Sequence, residues 1–243
     1  MKKILLLAAL AAVAVSCGSK YETVKGDPLD AKIYTLKNGL TVYMTVNKDE
    51  PRIQTYIPVR AGGKNDPADN TGLAHYLEHM MFKGTEQFGT QDYESEKPML
   101  AAIDSLFEVY RTLTDPQARL DLYHRIDSIS YEASKVAIPN EYDKLMSIIG
   151  SEGSNAYTSE DVTCYIEEIP SNQIENWAKI QADRFENCVF RGFHTELEAV
   201  YEAVYEEKNM GLTDDTEKAF DAINALLFPV HHQLPEFPQT HVH

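Results

Sequence analysis

Three ionisable side chains in one short segment define the chemistry open to this sequence. His75, Glu78 and His79 lie in GLAHYLEHMMFKG, residues 72–84, as the pattern H-x-x-E-H. On a helix, His75 and His79 are one turn apart and project from the same face. Two neutral imidazoles so placed can grip one Zn²⁺ at about 2.0–2.1 Å each. Glu78 borders that face, and a carboxylate beside a metal can take a proton from its water instead of binding the ion. A lone histidine on an apolar helix face is usually a satisfied core residue. Here two histidines and a glutamate stand among Leu73, Leu77, Met80, Met81 and Phe82. Three ionisable groups on a short buried helix need partners, because unpaired buried charge is costly. The metal reading is therefore preferred.

The order H-x-x-E-H reverses the zincin pair H-E-x-x-H. The run VRAGGKNDPADNTGLAHYLEHMMFKGT, residues 59–85, resembles the active-site segment of the pitrilysin family, which contains the insulin-degrading enzymes and the processing peptidases. GSNAYTSEDVTCY, residues 153–165, resembles a second family segment, and the glutamate-rich helix near Glu207 is a looser third. The resemblance implies that Asn155, Ala156, Tyr157 and Thr158 form an edge strand pairing with the substrate backbone. Main-chain hydrogen bonds of that kind hold an extended peptide whatever its sequence.

A catalytic zinc usually has three protein ligands, and the family takes its third from a glutamate in a later helix, the second member of E-x6-E. Here that helix reads TELEAVYEAVYEEKNMG, residues 195–211, and E-x6-E is absent because Ala199–Glu202 is repeated as Ala203–Glu206. At 100° per residue, Leu197, Val200, Ala203 and Val204 share one apolar face, with Glu196 and Glu207 on its edge. Glu198, Glu202 and Glu206 fall on the opposite side. An inward glutamate flanked by valines needs a cation or a donor, so Glu207 is the expected third ligand. Glu202 and Glu206 are weaker candidates, and Glu196 is the expected outer carboxylate orienting a histidine or supporting the metal.

The elements that must position these groups are legible in outline. Residues 33–36 and 40–46 alternate about Asn38-Gly39, which predicts a two-residue hairpin turn. Residues 53–59 predict a third strand, broken by Ala61-Gly62-Gly63, and a polar loop leads to the metal helix. Ser95 before Pro98, Asp115 before Pro116, and Pro139 mark helix starts. The spacing predicts helices over 99–113, 116–134 and 140–149, read together as a helical insertion beside the site, a lid or chamber wall. Residues 155–169 have strand character. Further helices are expected from Ser171, from the Thr195/Glu198 capping box, and over 219–228.

The first residues belong to no core. Lys2 and Lys3 precede an apolar run from Ile4 to Val15, then Ser16 and Cys17. That is a secretory signal, too short for a comfortable membrane span. Small residues directly before Cys17 resemble a bacterial lipobox, which makes Cys17 the expected lipidation site and the cell envelope, periplasmic or outer membrane, the expected location. Loss of residues 1–16 with their two lysines takes the formal charge from −16 to −18. Such an acidic chain argues against nucleic acid and against docking on anionic headgroups. Cys164 and Cys188 then remain, and their pairing is open.

The expected fold is α+β: an antiparallel sheet with the metal and glutamate helices on one face, plus a helical insertion over about 92–150. The expected organisation is a signal at 1–16, a tether at 17–31, an incomplete N-terminal peptidase domain at 32–228 and an irregular tail at 229–243. The expected function is that of a zinc-dependent metalloendopeptidase acting on peptides or small unfolded proteins, with His75, His79 and Glu207 on Zn²⁺ and Glu78 as base. The resemblance further implies a homologous second half, fused or as a partner subunit. The competing expectation is a non-catalytic envelope lipoprotein that keeps the fold as a remnant or partner.

Overall fold

The computed structural model describes residues 21–67, 70–191, 203–207, 209–210 and 213–227. The chain divides into two compact units, Met1–Pro51 and Arg52–His243.

In the first unit, β1 (Lys32–Thr35) and β2 (Thr41–Met44) pair antiparallel, with Thr35 opposite Thr41. The connection is not the two-residue turn predicted from Asn38-Gly39. Leu36 N–H donates to Leu40 O, Gly39 N–H donates to Leu36 O, and Gly39 has φ of 90° while Asn38 is not in the left-handed region. A two-residue I′ turn requires positive φ at both central residues. Only Gly39 supplies it, so the chain uses a three-residue loop of Lys37, Asn38 and Gly39.

The second unit is built on a three-stranded antiparallel sheet in the order β3-β5-β4, from β3 (Arg52–Val59), β4 (Glu152–Thr158) and β5 (Thr163–Pro170). The middle strand β5 is the most buried. Its alternation sends Tyr165, Glu167 and Ile169 to one face, because successive side chains point oppositely. Helices α4 (Glu141–Ile148) and α5 (Ile174–Glu186) cover that face. Ile169, Tyr142, Met146 and Phe88 are buried together there, with Trp177 and Ile180 against them.

Helices α2 (Tyr93–Tyr110) and α3 (Pro116–Ser134) pack on each other around Leu100, Ile103, Ile126 and Ala133. Asp115 caps α3 as the Asp-Pro pair predicts. The start of α2 differs from the expectation: Asp92, not Ser95, is the cap, its carboxylate accepting the Ser95 N–H. Pro98 then sits in the second turn. Glu94, whose carbonyl loses its helical donor there, is exposed and can turn to water. Within the 92–150 stretch, α4 also does more than flank the site, since Tyr142 and Met146 are core residues under the sheet. The last described helix, α6 (Asp215–Leu227), matches the periodicity over 219–228.

A buried polar cluster locks α5 to the sheet. Glu167 accepts from Trp177 Nε1 at 2.5 Å, from Gln181 Nε2 and from the Tyr142 hydroxyl. Arg184, fully buried, lies over the rings of Phe82, Tyr142 and Tyr165 at 4.3–4.5 Å and donates through Nε to Met81 O at 3.0 Å. A guanidinium stacked on ring faces offsets part of its desolvation. Cys164 and Cys188 are free thiols. Among the described residues, no helix is long and apolar enough to cross a membrane.

Candidate metal centre

The helix expected to carry the metal ligands is α1 (Leu73–Met80), eight residues long and held at both ends. Its N-cap is Gly72, which has no side chain to satisfy the first N–H groups. Asp66 substitutes from the preceding loop: Oδ2 accepts the Gly72 N–H at 2.6 Å and Oδ1 the Ala74 N–H at 2.9 Å. That loop is in turn fixed to the β4–β5 turn, where Gly63 N–H and Lys64 N–H donate to Ser159 O and Glu160 O. Gly62 makes the approach possible, because a Cβ there would stand 2.2 Å from Ser159 O. Beyond the helix, Arg184 holds Met81 O, and Arg191, buried against Glu96, holds Lys83 O and Thr85 O.

On this short, anchored helix the two imidazoles converge. His75 Nε2 and His79 Nε2 are 3.1 Å apart. Residues 203–207 are helical and bring Glu207 to the same point, its carboxylate oxygens 3.1 Å from His75 Nε2 and 3.9 Å from His79 Nε2. Ligand atoms on a tetrahedron with bonds of about 2.0–2.1 Å stand roughly 3.3 Å apart. Two imidazole nitrogens and one carboxylate at these separations therefore fit Zn²⁺ in both donor type and spacing. Burial, followed by the neighbouring His75, pushes His79 below the ordinary imidazole range, against the upward pull of Glu207 and Glu78. A neutral ring is the form that ligates a metal. Among the described residues, His75, His79 and Glu207 are the one group of three such donors gathered closely enough to share an ion.

Glu78 is buried, and its Oε2 accepts the Thr158 hydroxyl at 2.6 Å. A cavity of about 480 Å³ opens here, lined by the two histidines, Glu78, Glu207 and the β4 residues 154–158. Asn155, Ala156, Tyr157 and Thr158, which the sequence resemblance leads one to expect as a substrate strand, line this cavity. Asn155 Oδ1 accepts the Ala156 N–H at 2.9 Å, and Thr158 turns its hydroxyl to Glu78. Glu206 is exposed. Glu196, Glu202 and Cys17 lie outside the described residues. Sequence reasoning missed Asp66, Arg184 and Thr163, whose hydroxyl donates to Ala61 O beside Thr158. A helix whose cap position is glycine was the available signal for Asp66.

Residues 42–105 match the family model described as Insulinase (Peptidase family M16). That match covers about a quarter of the chain. Half of the chain is 34% identical over 131 residues to the probable mitochondrial-processing peptidase subunit beta of Schizosaccharomyces pombe, covering 52% of this chain and 24% of that one. The insulin-degrading enzyme homolog of Dictyostelium discoideum is 40% identical over 53 residues, 22% of this chain and 6% of that one. Residues of this chain also match an uncharacterized zinc protease, YmxG of Bacillus subtilis, at 22% identity over 179 residues, 74% of this chain and 31% of that one. The fold is similar to that of part of pitrilysin (TM-score 0.51, 18% identity, 82% of this chain and 16% of that one). It is also similar to that of part of the periplasmic protease PqqL from Escherichia coli (TM-score 0.57, 16% identity, 89% of this chain and 19% of that one). The chain spans less than a third of the length of each of these proteins. The matched segment contains the whole H-x-x-E-H motif and its anchoring loop, whereas Glu207 and β4 lie beyond residue 105.

Proposed function

We propose that this chain forms the zinc-binding, proton-transferring portion of a metalloendopeptidase. The observation that carries the reading is the convergence of His75 Nε2, His79 Nε2 and the Glu207 carboxylate beside a buried glutamate that is not among the three. Bound Zn²⁺ supplies Lewis acidity, polarising a peptide carbonyl and lowering the pKa of water toward about 7. Glu78 takes the proton of the attacking water and passes it to the leaving amine nitrogen, a general acid–base contribution of about 10²–10⁴ in rate. The strand β4 is an edge of its sheet, so an extended peptide can add to it through main-chain hydrogen bonds. Asn155 to Thr158 would then set its distance from Glu78.

The substrate class is peptides or small unfolded proteins, since edge pairing demands an extended backbone. Glu196 as the outer carboxylate, a homologous second half as partner, and lipid anchoring through Cys17 in the bacterial envelope complete the proposal. The test is zinc stoichiometry and cleavage of unstructured peptides by the purified chain and by Glu78→Gln. One zinc per chain with cleavage lost in Glu78→Gln is the expected result. Zinc bound with no cleavage by the unaltered chain would favour a non-catalytic lipoprotein, and absence of zinc binding would refute the site.

A further inference from the structure

Glu78 is held by a strand as well as by its own helix. Thr158, the last residue of β4, donates its hydroxyl to Glu78 Oε2 at 2.6 Å. Directly opposite on β5, Thr163 is buried, its hydroxyl 3.0 Å from Ala61 O and 3.3 Å from Thr158 Oγ1. A hydroxyl has one proton to give. With Thr163 donating to Ala61 O, the Thr158 proton is directed to the carboxylate. Both protons are thus spent away from the Thr158–Thr163 contact: Thr163 is tied to Ala61 O in the loop after β3, and Thr158 to one named oxygen of Glu78.

We propose that Thr158 is a positioning residue for the proton-transfer step, orienting Glu78, and that its side chain does not bind substrate. The inference rests on the metallopeptidase reading above. Holding Oε2 fixes the plane of the carboxylate and leaves Oε1 to take the proton from water and deliver it to the amine. The proton balance closes on that one oxygen: one proton arrives from water, the same proton departs to nitrogen, and Oε2 keeps its Thr158 bond throughout. It also couples substrate to base. The strand offered to the peptide backbone is the strand that carries the hydroxyl, so register on β4 and orientation of Glu78 are set by the same residues 155–158. A misplacement of about 1 Å in a reacting group can cost on the order of 10²-fold in rate, and a freed carboxylate rotates by at least that much.

Two measurements on the full chain decide this. In urea unfolding of the zinc-free protein, Thr158→Val should lower the midpoint clearly in the Glu78 background and by less than half as much in Glu78→Ala. Equal shifts in both backgrounds would overturn the hydroxyl–carboxylate tie, and this result does not depend on activity. In peptide cleavage, Thr158→Val should lower kcat on the order of 10- to 100-fold, with KM and zinc content within about twofold, and Thr158→Ser should restore most of it. A raised KM with kcat unchanged would overturn the proposal in favour of a substrate contact. Absence of cleavage by the unaltered chain would instead strike the metallopeptidase reading, while the unfolding cycle would still decide the tie.

Discussion

Asp66 offers the sharpest perturbation of the metal helix that leaves every proposed ligand in place. Its two carboxylate oxygens take the Gly72 and Ala74 N–H groups at 2.6 and 2.9 Å, and the side chain is buried. Hydrogen bonds to a charged group contribute about 1.5–3 kcal/mol each, with the whole cap at a helix start nearer 0.5–2 kcal/mol by substitution. The negative charge also faces the positive end of the helix, adding about 0.3–1 kcal/mol. Asp66→Ala removes both acceptors and leaves two N–H groups without a protein partner at the start of an eight-residue helix. A loss of about 2–3 kcal/mol follows, weighting the cap value over the sum of separate bonds because water enters the vacated space. In a chain of this size that is a fall in Tm of roughly 4–12 °C. Zinc affinity should fall with it, because His75 lies one residue beyond Ala74 and fraying of the first turn moves its ring. Asp66→Asn keeps one amide oxygen as an acceptor and should lose less than half as much. The assays are thermal unfolding of the zinc-free chain and chelator competition for zinc. A change below about 0.5 kcal/mol in Asp66→Ala, the size of an ordinary surface substitution, would refute the reasoning.

Further outcomes follow from the ligand set and from the ring cluster under the sheet. Zinc at 100 times its Kd should stabilise the folded chain by about 2.7 kcal/mol. Glu207→Ala should remove most of that increment while leaving the zinc-free unfolding curve nearly unchanged, since Glu207 is about half exposed. Burial pushes the Tyr165 hydroxyl up to about 12 from an ordinary value of 10.0. The folded state thus keeps a proton that the unfolded chain releases first, so the stabilisation is whole below pH 10 and is lost as the pH climbs from 10 to 12. The loss should be of the order of 2–3 kcal/mol. Tyr142 is shifted the same way by burial and contributes to the same decline. Tyr165→Phe should flatten that part of the urea-midpoint profile, and an unchanged slope would show that the hydroxyl titrates as if exposed.

The meeting of His75 and His79 was legible because it is local. Two histidines four residues apart need only a helix to meet, and the helix needs only its own hydrogen bonds. Glu207 was harder, because residues 195–211, with their doubled Ala-Val-Tyr-Glu unit, offer five glutamates and only the phase of the apolar face separates them. Among the described residues, Ala203 and Val204 are half-buried, Glu206 is exposed, and Glu207, itself about half exposed, brings a carboxylate oxygen 3.1 Å from His75 Nε2. What the sequence did not disclose is the set of ties between segments far apart in the chain. Arg184 on Met81 O, Arg191 on Lys83 O and Thr158 on Glu78 span 103, 108 and 80 residues, and no periodicity records such partners. The Asn38-Gly39 turn failed for a different reason. The dipeptide favours a two-residue hairpin, but one residue more in the loop lets Asn38 keep negative φ, with the left-handed position falling to glycine alone.

These ties also explain how so short a helix can hold the proposed metal site. Eight residues are too few for a stable isolated helix, and two of them carry imidazoles whose Nε2 atoms are brought within 3.1 Å of each other. The fold meets this by fixing the helix at its start through Asp66, in its middle through Thr158 on Glu78, and just past its end through Arg184. Each tie comes from a different element: the glycine loop, the edge strand and the buried helix α5. Ordering is thereby supplied before the cation arrives, so less of the binding free energy is consumed in arranging ligands. A site held this way should bind zinc with little change in helix content. Circular dichroism during zinc titration tests that directly, and a large gain in helicity would mean that the metal, rather than the three ties, organises the helix.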